Sequence, residues 1–222
     1  MTQLPILYSF RRCPYAIRTR MTLKYCEIAV EHREVLLKDK PAAMLAASPK
    51  GTVPVLVLAD NTVIDESVDI IMWALAQHDP LGWLDYDAAS LADMHALVEQ
   101  TERDFKGALD SYKYNYRRAD DPRRQERNSY RALCVKFLEL LNTRLIQTKW
   151  LASERHSYVD VALFPFVRQF ANVEPDWFAQ LPLPGLQRWL TEQLDSELFK
   201  SVMHKHPVWQ VTAEPGQNGV SP

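Results

Sequence analysis

Arg11-Arg12-Cys13-Pro14-Tyr15-Ala16 lies between two different periodicities. Before it, Ile6-Leu7-Tyr8 is a short apolar run; after it, Ile17, Met21 and Tyr25 recur at four-residue steps, a helical spacing. The hexapeptide is therefore predicted to be a strand-to-helix turn, with Pro14 at the first helical position, where its missing N–H costs nothing. A thiol at that point meets unpaired backbone N–H groups and the positive end of the helix dipole, and Arg11, Arg12 and Arg18 add positive charge where they face it. Cys13 is expected to be more acidic than a free cysteine, whose pKa is about 8.5. A cysteine can also be no more than a small buried hydrophobe. The helix start and the surrounding charge favour the reactive reading.

With 222 residues, 47% hydrophobic and 24% charged, the chain has the composition of a folded protein with a substantial core. A formal charge of −2 gives no field for nucleic acid or an anionic membrane. The arginines Arg117-Arg118 and Arg123-Arg124 are interrupted by Asp120-Asp121 and read as a solvated loop. Three cysteines do not make a disulfide framework, which suggests a reducing compartment. The N-terminal residues show no secretory pattern, and no apolar stretch approaches the roughly 20 residues of a membrane span. The expectation is a cytoplasmic protein.

Strand and helix signals alternate over the first part of the chain. Glu31 to Leu37 carries a second strand, Ala42 to Ala47 a short helix after Pro41, and Val53 to Leu58 a third strand. Asp60-Asn61 turns into Thr62-Val63-Ile64, a hairpin, and Asp65-Glu66-Ser67 leads into a helix with Ile70, Ile71, Ala74 and Leu75 on one face. The order is β-α-β-α-β-β-α over residues 1–79, followed by a linker over 80–90 at Asp79-Pro80-Leu81-Gly82. Residues 91–209 read as all-helical, with four helices: one from Leu91 through Tyr112, one with Leu133 to Leu141, one from Tyr158 to Phe170 and one from Leu186 to Leu194. Residues 210–222 read as a tail. Ser157-Tyr158-Val159-Asp160 fits a capping box, so Asp160 is expected to hold a helix start and not to catalyse.

Three further features bear on chemistry. Proline at Val53-Pro54 removes a ladder donor at the head of a strand; a cis bond in a tight turn explains it, and so does an edge strand. A cis turn would expose the backbone of Val53 to an incoming peptide. Glu66-Ser67 at a helix start could hold an α-amine and an α-carboxylate together, or simply cap the helix. Lys40 is a lone cation of the kind that is ordinarily solvated surface.

Taken together, Tyr8 to Arg20, Leu37 to Pro41, Pro49 to Leu56 and Ile64 to Ser67 resemble the thioredoxin-like domain of the glutathione transferase superfamily, most closely its omega-like, cysteine-type members. The capping box at Ser157 to Asp160 is similar to that of the same superfamily's helical domain. The implied fold is α/β plus all-α: a thioredoxin-like domain with a mixed four-stranded sheet over 1–79, and a helical bundle over 91–209. The resemblance implies glutathione along the edge of the first domain. Glu66 would meet its ammonium and Ser67 its γ-glutamyl carboxylate. Val53, before a cis Pro54, would pair with the cysteinyl backbone, and Lys40 would meet the glycyl carboxylate. Tyr15 and Leu37 would lie alongside, and Cys13 would face the sulfur.

A thiolate opposite a sulfur is suited to forming and resolving a mixed disulfide. The position three residues after Cys13 is Ala16, and Cys26 is near the far end of the same helix, so the expected mechanism is monothiol. The implied activity is thiol transfer or reduction dependent on glutathione as co-substrate, as in deglutathionylation or dehydroascorbate-type reduction. Conjugation of glutathione to electrophiles is the alternative, though Tyr8 reads as core and Ser9 as a turn residue; a non-catalytic scaffold is a third reading. The second substrate, a small molecule or a glutathionylated partner, is expected between the domains. Tyr112 and Tyr116 are its candidate walls, with Tyr114 and Arg117 beside them, although core and surface packing would explain these residues as well. The resemblance also implies a homodimer; no metal is expected.

Overall fold

The computed structural model describes residues 3–117 and 126–210. Four strands, β1 (Ile6–Ser9), β2 (Glu31–Glu34), β3 (Val55–Val57) and β4 (Val63–Ile64), form one sheet in the order β2-β1-β3-β4. The pairing of β1 with β2 is parallel, and those of β1 with β3 and β3 with β4 are antiparallel. Helices α1 (Pro14–Tyr25), α2 (Ala42–Ala47) and α3 (Ser67–Gln77) complete a thioredoxin-like domain, in the element order the sequence predicted. The parallel β1–β2 pair requires a crossover, and α1 supplies it.

The remainder is helical: α4 (Ala88–Gln100), a π-helical turn (Thr101–Phe105), α5 (Lys106–Arg117), α6 (Arg127–Gln147), α7 (Tyr158–Ala171), α8 (Pro175–Ala179), α9 (Pro184–Asp195) and α10 (Glu197–Val202). The first helix of this half is thus α4 and α5 in one run with a π turn between them. Such a turn inserts a residue and re-aims the faces on either side; Phe105 enters the core while Glu102 reaches Arg18 of α1. Two helices escaped the sequence reading, α8 and α10. With five and six residues they are too short to display a period. The loop around Ala119 to Pro122, the arginines at 118, 123 and 124, and residues 211–222 of the expected tail lie outside the described residues.

Helix α1 joins the two halves, packing on α3 within the first domain and on α7 within the second. Ile17 and Met21 of α1 belong to one continuous core that also holds Leu7, Leu56, Ile70, Leu109, Phe164 and Trp189. A smaller cluster of Tyr8, Val35, Met44, Val53 and Val55 lies beneath the loops at the other face of the sheet. After α10 the chain returns to β2, where Val208 pairs with Glu34 and the Trp209 N–H donates to the Glu34 carbonyl at 2.8 Å.

Asp160 does what its capping box predicts. It is fully buried, and its carboxylate accepts from the Ser157 N–H (3.0 Å) and hydroxyl (2.9 Å), the Leu151 N–H (2.9 Å) and the Trp189 indole N–H (2.9 Å). One side chain thus ties the start of α7 to the preceding loop and to α9. Cys26 and Cys134 are buried free thiols, each pushed up to about 12 by burial.

Candidate functional site

Cys13 is the residue that precedes α1, with Pro14 at the helix start. Its N–H donates to the Phe10 carbonyl at 3.0 Å, and its carbonyl receives the Ile17 N–H at 2.9 Å. The Val53–Pro54 peptide bond is cis. The Cys13 thiol points at the Val53 carbonyl, with Sγ 3.7 Å from the oxygen.

The loop carrying the thiol is clamped from behind. Arg20, on α1, donates to the Ser9 hydroxyl at 2.6 Å, the Arg11 carbonyl at 2.8 Å and, across the domains, the Val202 carbonyl at 3.1 Å. Glu34 accepts the Arg11 N–H at 2.7 Å. Tyr8 and Ser9 are both buried, Tyr8 receiving Arg33 at 2.9 Å. Tyr8 packs in the core as expected; Ser9, expected in the turn, is the last residue of β1, paired with Glu34 in the sheet, and its hydroxyl faces Arg20.

Electrostatics around Cys13 correct one expectation. Burial pushes the thiol above its ordinary range; the N–H groups of Ala16 and Tyr15 and the charges of Arg20 and Lys106 oppose this, and burial prevails. Of the three arginines expected to help, Arg18 is 1% exposed and makes its hydrogen bonds elsewhere, donating to the Ser67 hydroxyl at 3.1 and 2.7 Å and pairing with Glu102. Arg12 lies over the Phe10 ring, 5.5 Å from its centre, and Arg11 is engaged through its backbone N–H. Helix-start N–H groups were legible from sequence; how deep the thiol is set was not.

A cleft of about 600 Å³ runs along the edge of the first domain and brings together Cys13, Tyr15, Leu37, Lys40, Val53, Pro54, Glu66 and Ser67. These residues come from four separate parts of the chain, and every one named from sequence for glutathione lines the same cavity. The structure adds Lys50, Asp65 and Glu102. Lys50 bridges Glu66 at 2.7 Å and Asp65 at 3.0 Å, and the Ser48 hydroxyl donates to Asp65 at 2.7 Å. Gly51 sits at a φ of +63°, against Leu45 and the Lys40 ammonium; the left-handed turn is what glycine tolerates best. Lys50 and Asp65 had no signal beyond turn chemistry, and Glu102 depends on the π turn.

A second cleft of about 680 Å³ opens on the other side of Cys13, between the active loop and helices α5 and α7, with Tyr15 and Leu37 shared between the two. Tyr112, expected as a wall, is not there. It is fully buried, its hydroxyl donating to Glu174 at 2.5 Å. The apolar stripe of α5 turns Tyr112 inward against Phe170, whereas Tyr114, 55% exposed, lines the cleft. The side chains of Tyr116 and Arg117 lie outside the described residues. Tyr15 stands edge-on to Phe166 at 4.9 Å, and burial with the Glu102 charge raises its hydroxyl to about 12. No group of His, Cys, Asp or Glu among the described residues could hold a metal ion, and no described helix is long and apolar enough to cross a membrane.

The chain thus joins a thioredoxin-like domain, with a cysteine at the start of its first helix and a cis proline opposite it, to a helical domain. Residues 7–82 match the glutathione S-transferase N-terminal domain and residues 119–192 the glutathione S-transferase C-terminal domain. The chain belongs to the glutathione S-transferase superfamily. It is similar to mouse glutathione S-transferase omega-1, 26% identical over 202 residues that cover 91% of this chain and 77% of the relative. It is also similar to glutathione S-transferase U28 of Arabidopsis thaliana, 25% identical over 83% of this chain and 81% of that one. Among solved structures, a glutathione transferase family member from Pseudomonas fluorescens Pf-5, with two glutathione bound, superposes with a TM-score of 0.81 at 15% identity, covering 91% of this chain and 93% of its own.

Proposed function

We propose that the protein is an omega-like, cysteine-type thiol transferase that uses glutathione as co-substrate. The observation that carries this reading is the position of Cys13 at the meeting point of the two clefts. The first cleft has the chemistry for glutathione: Glu66 for its ammonium, Ser67 with the N-terminus of α3 for its γ-glutamyl carboxylate, the backbone of Val53 for its cysteinyl unit and Lys40 for its glycyl carboxylate. Lys50, already on Glu66, adds a second cation.

In the forward step the Cys13 thiolate attacks the glutathione sulfur of a mixed disulfide R–S–S–G. The Cys13 Sγ–S bond to glutathione forms, the S–S bond of R–S–S–G breaks, and R–S⁻ leaves to take a proton. A second glutathione thiolate then attacks the glutathione sulfur held by Cys13, releasing glutathione disulfide and the Cys13 thiolate. Deprotonation of Cys13 has to overcome its burial, and the Ala16 and Tyr15 N–H groups, Arg20 and Lys106 are the groups that favour it. The reading includes a homodimer, whose mass light scattering would give.

Burial also supports a second reading. A Cys13 held as a neutral thiol could donate its S–H to a glutathione thiolate, as a hydroxyl does in conjugating members, and the enzyme would then join glutathione to electrophiles. Intact mass after mixing with oxidised glutathione separates the two. One added glutathione on the native chain, absent from Cys13→Ser, is the expected result. No adduct, or an equal one on the variant, overturns thiol transfer; conjugation that persists in Cys13→Ala would then favour the second reading.

A further inference from the structure

We propose that the second cleft selects an organic anion, so that the group joined to or exchanged with the glutathione sulfur carries a carboxylate or comparable acid. This rests on the reading above, with glutathione in the first cleft and its sulfur at Cys13.

The second cleft is lined by Arg12, Lys106 and Arg168, with Lys113 engaged over the Tyr114 ring, and by one carboxylate among the described residues, Asp110, which pairs with Lys106. The whole chain carries a formal charge of −2, so this excess of positive charge is local. It also comes from three elements: the loop before α1, helix α5 and helix α7. A charged face of a single helix would need no ligand to explain it. Three elements converging on one cavity, with low-dielectric walls, focus a positive potential on whatever enters.

An independent feature points the same way. The Arg168 Nε and the Gln169 Oε1 are buried and have no hydrogen-bond partner among the described residues, and both side chains line the cleft. Arg168 is held in place by the Phe199 ring, 5.3 Å from its guanidinium. With Nε closed off, the terminal guanidinium nitrogens are what Arg168 offers to the cleft, and they pair best with an anionic oxygen, through a charge-assisted hydrogen bond. Phe10, Pro165 and Val173 supply apolar contact for its carbon skeleton.

The test uses unreactive thioethers of glutathione that differ only at the far end: S-(2-carboxyethyl)-, S-(2-hydroxyethyl)- and S-(2-aminoethyl)glutathione. Titration calorimetry on the full chain should give the carboxyethyl compound about tenfold tighter binding than the hydroxyethyl one and rank the aminoethyl compound last, with the gap narrowing at high salt. Arg168→Gln should shrink the carboxyethyl-to-hydroxyethyl ratio, which is insensitive to partial loss of folded protein; Arg12→Gln, at an exposed position, should shrink it too. Equal binding of all three overturns the anion inference and leaves the glutathione reading standing. No binding by any of them overturns the glutathione reading and this inference with it.

Discussion

The two clefts that meet at Cys13 are built on different principles. The first belongs mainly to the thioredoxin-like domain and presents charges of both signs, Lys40 and Lys50 with Asp65, Glu66 and Glu102, beside backbone and hydroxyl groups. Its members are fixed by one another: Ser67 by Arg18, Arg18 by Glu102, Glu66 by Lys50. The second belongs mainly to α5 and α7 and gathers cations from three elements, Arg12, Lys106 and Arg168 among them, beside one carboxylate among the described residues, Asp110. A zwitterionic peptide needs paired charges at set spacing, and a matched network provides that. A variable partner needs a field and an apolar wall. On the proposed reading, constant recognition falls to one side of the thiol and selectivity to the other.

The largest effect that would break this division falls on the shared residue. Cys13→Ser should lower disulfide exchange by about a thousandfold, since a hydroxyl at neutral pH is a far poorer nucleophile than a thiolate. Binding of S-hexylglutathione, read by calorimetry, should stay within a few-fold. A parallel loss of both would mean that Cys13 shapes the cleft and does not react.

Asp160→Ala acts on neither cleft. It leaves the N–H groups of Leu151, Ser157 and Trp189 unpaired in the interior and should cost about 3 kcal/mol in a urea titration, roughly a hundredfold in the folding constant. The folded fraction should keep the native ranking of second substrates. A changed ranking would place Asp160 in the chemistry.

Ser67→Ala should weaken glutathione binding about tenfold, because it removes a hydroxyl from the first cleft and the acceptor for two Arg18 hydrogen bonds. The KM for the second substrate should move less than that for glutathione. Equal movement would dissolve the distinction between the clefts.

The smallest effect concerns Lys106, which touches both sides of the argument. With its thiol pushed up by burial, the free protein should react with iodoacetamide more slowly at neutral pH than an exposed cysteine would, and faster as pH rises towards the thiolate. Lys106→Met removes a cation that lowers this pKa, so the alkylation profile should shift to higher pH and the rate at neutral pH should fall a few-fold. A shift to lower pH would show that Lys106 does not act on Cys13 as a charge.

Much of the first cleft was legible in the sequence because its parts are local motifs. Pro14 fixes where α1 starts and so where Cys13 sits, and Glu66-Ser67 opens α3, with Glu66 at the cap and Ser67 the first helical residue. The serine and aspartate of the box at 157–160 satisfy each other within one turn. The second cleft was read poorly. Alternating tyrosines at 112, 114 and 116 give no phase by themselves, and only the packing of α5 on α6 and α7 puts Tyr112 in the core and Tyr114 in the cleft.

The sequence by itself determined the order of elements and the place of the thiol at a helix start, because hydrogen-bond caps, turns and hydrophobic periods act over a few residues; the residues of the first cleft were named through the resemblance to a family. Tertiary structure alone decided which charges reach the thiol. It sent Arg18 to Ser67 and Glu102, set Cys13 deep enough for burial to outweigh the helix start, and gathered Arg12, Lys113 and Arg168 around one cavity. The physical reason is that desolvation and Coulomb forces depend on distance in space, and residues 12, 113 and 168 become neighbours only when α1, α5 and α7 pack.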